Sequence, residues 1–375
     1  MGPVTLDLDA LRPYPARPDR QAHDAADRLL LDESGAERQG LGRQDIVVIG
    51  DIYGALALTC ASETPDDSGL VRVHQDPLTA ERALALNAQS TGLEASVVSL
   101  PLDAELVQDA RLVLLRLPRS LDSLRDIAGL IAAHAAPDAA VFAAGRLKHM
   151  SLGMNDVLRE HFGTLDVTHA RQKSRVLIAR DPHNGRDPEP ARAEIGGVVV
   201  CAFGGVFAGP SLDIGTRLLL DNLPATTPGA TDDPMIDLAC GSGIVGATLA
   251  LRHPGLRVYA SDESSAAVAS AGATAIANGI DDRMSVVRDD ALSALPDASV
   301  SFIALNPPFH RGAALDGTIA RHLFTDAARV LQPGGELWTV WNSALQYRPA
   351  LERVVGPTHQ IARTPKFTVT ASTRR

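Results

Sequence analysis

Short apolar runs alternate with helical stretches along most of this chain. Asp45–Gly50 encloses four consecutive β-branched residues, Ile46 to Ile49, the pattern of a strand covered on both faces. It runs into Asp51–Thr59, a turn and a helix; Val71–His74 then reads as a second strand, Ala80–Asn87 as a helix, and Arg111–Leu117 as a further apolar run ending at Pro118. Upstream, Asp24–Leu31 predicts a short helix capped by Asp24. The second half repeats this rhythm. Phe207–Leu220 ends in a helix, and Met235 opens a strand that enters a glycine turn. Val258–Asp262 and Val286–Asp290 read as the next strands and Val300–Leu305 as a buried one. Thr318–Leu331 predicts a helix, Pro333-Gly334-Gly335 a turn, and Glu336–Trp341 and Lys366–Thr370 a late antiparallel pair. Strands alternating with helices predict parallel sheets with helices on both faces, an α/β protein. Residues 1–180 and 196–375 are expected to be domains, joined by a linker over 181–195 that is dense in turn formers and polar groups from Asp181 to Pro190.

Two segments of the second half carry chemistry. In Asp237-Leu-Ala-Cys-Gly241-Ser-Gly243 the glycines let the backbone approach a ligand without a Cβ, and Asp237 is placed to reach a ligand amino group. A glycine turn of this kind also occurs in dinucleotide-binding folds. Asp262, at the tip of the next strand, can accept both hydroxyls of a ribose, which supports a nucleoside but does not choose the cofactor. Asp290, with Asp289 as the alternative, stands where an adenine amine would be met. Ordinary strand-end carboxylates are the plain reading of these acids.

The second segment, Asn306-Pro307-Pro308-Phe309, follows the buried strand. An exocyclic amine on a base, or an amide nitrogen, has its lone pair delocalised into a π system and is a poor nucleophile. The Asn306 side-chain oxygen and the Pro307 carbonyl can accept both hydrogens of one NH2 group and so orient its lone pair. The tandem prolines stiffen the turn, Phe309 offers a face for stacking, and the gain is mostly positioning. Together the two segments point to an enzyme that moves a methyl group from S-adenosylmethionine to a planar nitrogen.

Composition narrows the setting. At 375 residues and 45% hydrophobic content the chain can build two cores. No apolar run reaches membrane-span length, and Met1–Arg20 lacks the basic and apolar regions of a signal peptide. Cys60, Cys201 and Cys240 are too scattered for a disulfide framework, and His310 has no second ligand at metal-binding spacing. A cytoplasmic, metal-free monomer is expected. The net charge of −10 is uneven. The acidic excess lies in residues 1–142, whereas 143–192 carry 9 Lys+Arg against 6 Asp+Glu. Arg146-Leu-Lys148-His149 and Arg171-Gln-Lys173-Ser-Arg175 are therefore local basic patches that an RNA backbone could meet; a solvated charged face is the alternative.

These residues resemble the bacterial ribosomal RNA guanine-N2 methyltransferases, one branch of which acts on small-subunit and another on large-subunit RNA. The likeness runs through Leu212-Asp213-Ile-Gly215-Thr-Arg217, Asp237–Gly243, Ala275–Gly279, Asn306–His310, Gly334-Gly335, Asn342–Tyr347 and Arg363–Val369. In the first half it rests on Gly54-Ala-Leu-Ala-Leu, Arg146–Met150 and Lys173-Ser-Arg175. The resemblance implies two tandem Rossmann-like class I methyltransferase domains, the N-terminal one degenerate and holding RNA, the C-terminal one catalytic. It implies cofactor contacts at Asp237, Ala239, Gly241, Gly243, Asp262, Asp290 and Asn306, and catalysis by Asn306, Pro307 and Phe309. Substrate contacts are implied at Phe309, His310, Lys148, Lys173 and Arg175. The degenerate half has no Gly-x-Gly in its first turn, and Leu117-Pro118-Arg119 stands where Asn-Pro-Pro is expected. The partner implied is ribosomal RNA or a ribosomal subunit. Two other readings fit the residues less fully: a methyltransferase acting on a release-factor glutamine, which uses the same Asn-Pro-Pro, and a non-catalytic RNA-binding or ribosome-assembly module.

Overall fold

The Ile46–Ile49 run forms β1, and all four of its side chains are buried. In the computed structural model, which describes residues 6–14, 21–225, 233–308 and 317–375, the chain divides into two compact units, Met1–Glu189 and Pro190–Arg375. In the first unit β1 is joined by β2 (Val71–His74), β3 (Val97–Ser99), β4 (Leu112–Arg116), β5 (Ala140–Arg146), β6 (Phe162–Val167) and β7 (Ser174–Pro182). They form one seven-stranded sheet in the order β3-β2-β1-β4-β5-β7-β6, parallel except for β7, which runs antiparallel to both neighbours. Its helices are α1 (Ala25–Glu33), α2 (Gly35–Arg38), α3 (Ala55–Glu63), α4 (Leu78–Thr91), α5 (Ala104–Val107), α6 (Leu121–His134) and α7 (Leu152–His161). The period-2 alternation of strands sends Ile46 and Val48 into a core shared with α1 and α3, and Val47 and Ile49 into one shared with α6 and α7. Asp24 caps α1 through a capping box with Asp27, as its sequence predicts.

The second unit repeats the plan. Its strands are β8 (Ala191–Ile195), β9 (Val198–Ala202), β10 (Met235–Leu238), β11 (Val258–Asp262), β12 (Met284–Arg288), β13 (Val300–Leu305), β14 (Leu331–Asn342), β15 (Thr358–Arg363) and β16 (Phe367–Thr373). Its helices are α8 (Ile214–Asn222), α9 (Ile244–Arg252), α10 (Ser265–Ala277), α11 (Gly317–Val330) and α12 (Arg348–Val354). The main sheet runs β12-β11-β10-β13-β14-β16-β15, the same order as in the first unit.

Two expectations need correction. Residues 181–195 are only partly irregular, because β7 extends to Pro182 and β8 covers Ala191–Ile195. Gly196 and Gly197, at φ 59° and 82°, turn β8 into β9, the left-handed pair that two-residue hairpins favour. The outer edge of β9 is closed by a polar row on α10: Val199 N–H donates to Asn278, Cys201 N–H to Thr274 and Phe203 N–H to Ser270, each at 2.9 Å. Finally, Pro333-Gly334-Gly335 does not precede the strand but bulges within β14, whose register on β13 jumps from Val300↔Leu331 to Phe302↔Glu336.

Candidate active site

Asp237 lies in β10 and is 2% exposed. Its Oδ2 accepts the Gly246 N–H at 2.7 Å, so the carboxylate is tucked beneath the glycine loop and ties down the start of α9. Burial, aided by repulsion from Asp262 and opposed by the Gly246 bond, pushes its pKa up to about 7. Above it the loop alternates: Ala239, Gly241 and Gly243 are all left-handed, at φ 58°, 54° and 76°. A side chain on Gly243 would strike Ala271 of α10, whereas a Cβ on Gly241 meets nothing within 4 Å among the described residues. Gly243 is thus fixed by packing, and Gly241 faces open space.

Asp262 reaches back to this loop. Its Oδ2 accepts the Gly241 N–H and its Oδ1 the Ser264 N–H, both at 3.0 Å. The two acids after β12 separate into roles. Asp289 is buried and accepts from Asp290 N–H, Ser293 Oγ and Ala294 N–H, which closes the turn. Asp290 instead pairs with His322 of α11 at 2.9 Å, and this hydrogen bond raises the imidazole pKa.

Asn306 follows β13. Its Nδ2 donates to Thr216 Oγ1 (2.8 Å) and Asp213 Oδ2 (3.2 Å), while Oδ1 is buried with no hydrogen-bond partner among the described residues. Asp213 is the N-cap of α8, accepting Gly215 N–H (2.7 Å), Thr216 N–H (3.1 Å) and the Thr216 hydroxyl. Pro307 is buried and Pro308 exposed; Phe309 and His310 lie outside the described residues. The sequence alone assigns no role to Asp213 or Thr216, although an N-cap acid three residues before a threonine is the available signal. A cleft of about 400 Å³ lined by Asp297, Arg329, Pro333 and Arg374 lies at the other end of β13 from Asn306.

Strand register shows what the first unit has at the same places. Ile49 pairs with His74 and Leu115, as Leu238 pairs with Ser261 and Leu305. Gln75 therefore matches Asp262, and Arg116 matches Asn306. The sequence expectation that Leu117-Pro118-Arg119 fills the Asn-Pro-Pro position is one residue out. Arg116 binds Asp24 at 3.0 Å and also Asp27, two acids at the start of α1. Gln75 is buried and donates to the Asp51 and Ala80 carbonyls. Asp51 occupies the loop itself and accepts the N–H groups of Gly54, Leu56 and Ala57, each at 2.9 Å. Burial, with repulsion from Asp27, raises its pKa to about 6.

Lys148, Lys173 and Arg175 are brought together at one end of this sheet. Arg146 pairs with Ser174 and Gly145 with Arg175 across β5 and β7, and Leu147 N–H donates to the Lys173 carbonyl at 2.9 Å. Lys148 and Lys173 are exposed and Arg175 is half-buried. The cluster includes Arg119, Arg146 and His149; partial desolvation and then these cations and Lys148 lower the His149 pKa. Cys60, Cys201 and Cys240 are buried free thiols. No helix among the described residues is long and apolar enough to cross a membrane.

This strand order, with a glycine loop after its first strand, an acid at the tip of the second and Asn-Pro-Pro after the fourth, defines a class I methyltransferase. Residues 197–371 match the Methyltransferase small domain family and residues 5–183 the RLMG N-terminal domain family. The ribosomal RNA large subunit methyltransferase G of Streptomyces avermitilis is 34% identical, over 98% of this chain and 97% of that protein. The protein of the same name from Shewanella amazonensis is 32% identical, over 98% and 96%. Among solved structures, the T. thermophilus 16S rRNA N2 guanine methyltransferase RsmC, determined with AdoMet and guanosine, shares the fold with a TM-score of 0.75 at 22% identity, covering 97% of this chain and 95% of that one. The chain belongs to the ribosomal RNA large subunit methyltransferase G family.

Proposed function

We propose that this protein transfers the methyl group of S-adenosylmethionine to the exocyclic N2 amine of a guanine in large-subunit ribosomal RNA. The observation that carries the reading is the buried, unpartnered Oδ1 of Asn306 at the end of β13, an acceptor held ready for a donor that the described residues do not supply. The relatives' shared name supports the RNA and the subunit.

The second unit fits S-adenosylmethionine. The open space above Gly241 and the left-handed backbone at Ala239, Gly241 and Gly243 form a cradle in which a Cβ on Gly241 would take ligand volume. Asp262, already on the loop, is placed for the ribose hydroxyls, and Asp290 for the adenine amine. Asp237 accepts the Gly246 N–H beneath the site and so anchors the loop that receives the cofactor. When bound, S-adenosylmethionine supplies an electrophilic methyl on a sulfonium. Asn306 Oδ1 and the Pro307 carbonyl accept the two amine hydrogens of the guanine and turn its lone pair towards that methyl. Phe309 stacks on the base and His310 lines its pocket. No strong base is required, because the amine becomes acidic as it gains the methyl. The cluster of Lys148, Lys173 and Arg175 meets RNA phosphates, giving residues 1–180 the role of holding the substrate. The protein works as a monomer in the cytoplasm, where its substrate is found.

The test offers S-adenosylmethionine carrying a labelled methyl with separated subunits, protein-free rRNAs and a release factor in parallel. Label in large-subunit RNA, mapped to guanine N2, is expected. Label in the release factor alone would replace this reading with glutamine methylation. Asn306→Ala is expected to lose transfer by about a hundred- to a thousandfold while still binding cofactor; near-normal transfer would refute the mechanism.

A further inference from the structure

We infer that Asp213 is a positioning residue for methyl transfer, and that it fixes which way the Asn306 amide faces. This rests on the reading of Asn306 as the group that receives the target amine.

The argument follows from donors and acceptors. An asparagine amide presents an oxygen on one side and an NH2 on the other, and only the oxygen can receive an amine hydrogen. Nothing in the Asn306 backbone decides between the two orientations. Thr216 cannot decide either, because a hydroxyl both donates and accepts. Asp213 can decide, because an ionised carboxylate only accepts. It takes the Thr216 hydroxyl proton, which leaves the Thr216 lone pairs for Asn306, and it takes a second hydrogen bond from Nδ2 itself. The flipped amide would set Oδ1 against Asp213 Oδ2 and remove two charge-assisted or coupled bonds. The orientation that remains leaves Oδ1 buried and free.

The support is stiff at both ends. Asp213 is held by the Gly215 and Thr216 amides at the first turn of α8. The stretch leading to it starts where Phe203 N–H is fixed on Ser270 of α10. The matching place in the first unit makes the same connection with other chemistry. There, acids at the start of the equivalent helix meet the residue at the end of the fourth strand as Asp24, Asp27 and Arg116. The contact between this helix start and this strand end belongs to the fold, and in the second unit alone it leaves an acceptor over.

Asp213→Asn tests the idea without removing the cap, since asparagine caps helices as well as aspartate does. It removes the acceptor-only character and lets the Asn306 amide turn. With saturating cofactor and the RNA that the wild type labels, the single-turnover rate is expected to fall roughly ten- to a hundredfold. Cofactor Kd should stay within about twofold, since no part of the cradle changes. Combined with Asn306→Ala, Asp213→Asn should slow the residual rate no further, because it acts through Asn306. A second readout needs no substrate. With selective labelling of asparagine side-chain amides, the Asn306 Nδ2 hydrogens should exchange slowly in the wild type and quickly in Asp213→Asn. Equal exchange in the two proteins would overturn the inference. So would a wild-type rate in Asp213→Asn, a loss of cofactor affinity parallel to the loss of rate, or the same slowing on the Asn306→Ala background. A wild type that labels no RNA but shows the exchange difference would sink the proposed substrate and leave the positioning role standing.

Discussion

Gly241 and Gly243 occupy one loop and share a left-handed backbone, yet the structure gives them different reasons, and paired alanine substitutions separate the two. In either position alanine must hold a conformation that costs an L-residue about 1–2 kcal/mol. At Gly241 that is the whole structural cost, because the new methyl meets nothing within 4 Å among the described residues. At Gly243, φ 76°, the methyl would sit 2.8 Å from the Ala271 Cβ and 2.9 Å from its Cα, atoms of the α10 backbone and its first side-chain carbon that cannot rotate away. Overpacking adds about 1–3 kcal/mol. For a unit of this size Tm should fall by about 2–8 °C in Gly241→Ala and by about 4–20 °C in Gly243→Ala. Cofactor binding should rank the other way per unit of lost stability. Gly241→Ala puts its methyl in the space that the cradle leaves open and should weaken S-adenosylmethionine at least about tenfold while remaining well folded. Differential scanning fluorimetry and titration calorimetry on the full chain measure both. Wild-type affinity in Gly241→Ala, or a larger stability loss there than in Gly243→Ala, would refute this account of the loop.

Other expectations can be tested independently. Asp237 has a folded pKa of about 7 against an ordinary 3.8, so the folded state holds a proton that the unfolded chain has released. Stability from this group is present below about pH 4 and is lost as pH rises through about 7, a change on the order of 4 kcal/mol. Asp237→Asn, whose oxygen can still accept from Gly246, should be more stable than wild type at pH 8 and about equal at pH 4, with weaker cofactor binding; urea midpoints at the two pH values decide it. Arg116→Met leaves Asp24 and Asp27 facing each other with only Arg146, 4.0 Å from Asp24, as a neighbouring cation, and should destabilise the first unit by about 3 kcal/mol, while calorimetry still finds one cofactor per chain. Replacing Lys148, Lys173 and Arg175 by alanine should weaken RNA binding and flatten its salt dependence by about 0.7–0.9 in log–log slope for each phosphate no longer neutralised, without changing cofactor affinity. An unchanged slope would place the RNA elsewhere.

The parts of the site legible in sequence are those in which chemistry is local. The glycine loop, Asp262 and the Asn-Pro-Pro turn each declare themselves within a few residues, because steric room and strand-end position are set by neighbours in the chain. The alternation of apolar runs likewise predicts the parallel sheet and the helices α1, α4 and α11 to within a few residues at their ends. What stays hidden depends on contacts between distant segments. Asp213 and Asn306 are 93 positions apart, and no periodicity reports their meeting. Asp289 and Asp290 look alike as letters, and only the bonds to Ser293 and His322 tell them apart. The β8–β9 hairpin is masked although Gly196-Gly197 marks its turn, because the proline-rich stretch before it reads as linker.

The two units show how one fold can carry an open site and a closed one. In each, a carboxylate at the start of a helix reaches the residue at the end of the fourth strand. Where that residue is Asn306, the bonds to Asp213 and Thr216 consume its amide hydrogens and leave one buried acceptor. Where it is Arg116, the bonds join a cation to two carboxylates, and the guanidinium itself offers donors only. The loop after the first strand follows the same logic. Asp237 stays below its loop and leaves the space above Gly241 open, whereas Asp51 rises into its loop and takes three of the amides at the start of α3. At the second strand tip Gln75, a buried donor to backbone carbonyls, stands where Asp262 offers a carboxylate. Each of the three replacements is internally satisfied, so the closed site is a stable structure in its own right and not a damaged copy. Reversing any one of them would leave the other two in place, and the first unit is free to keep the sheet end near Lys148 and Lys173 for another partner.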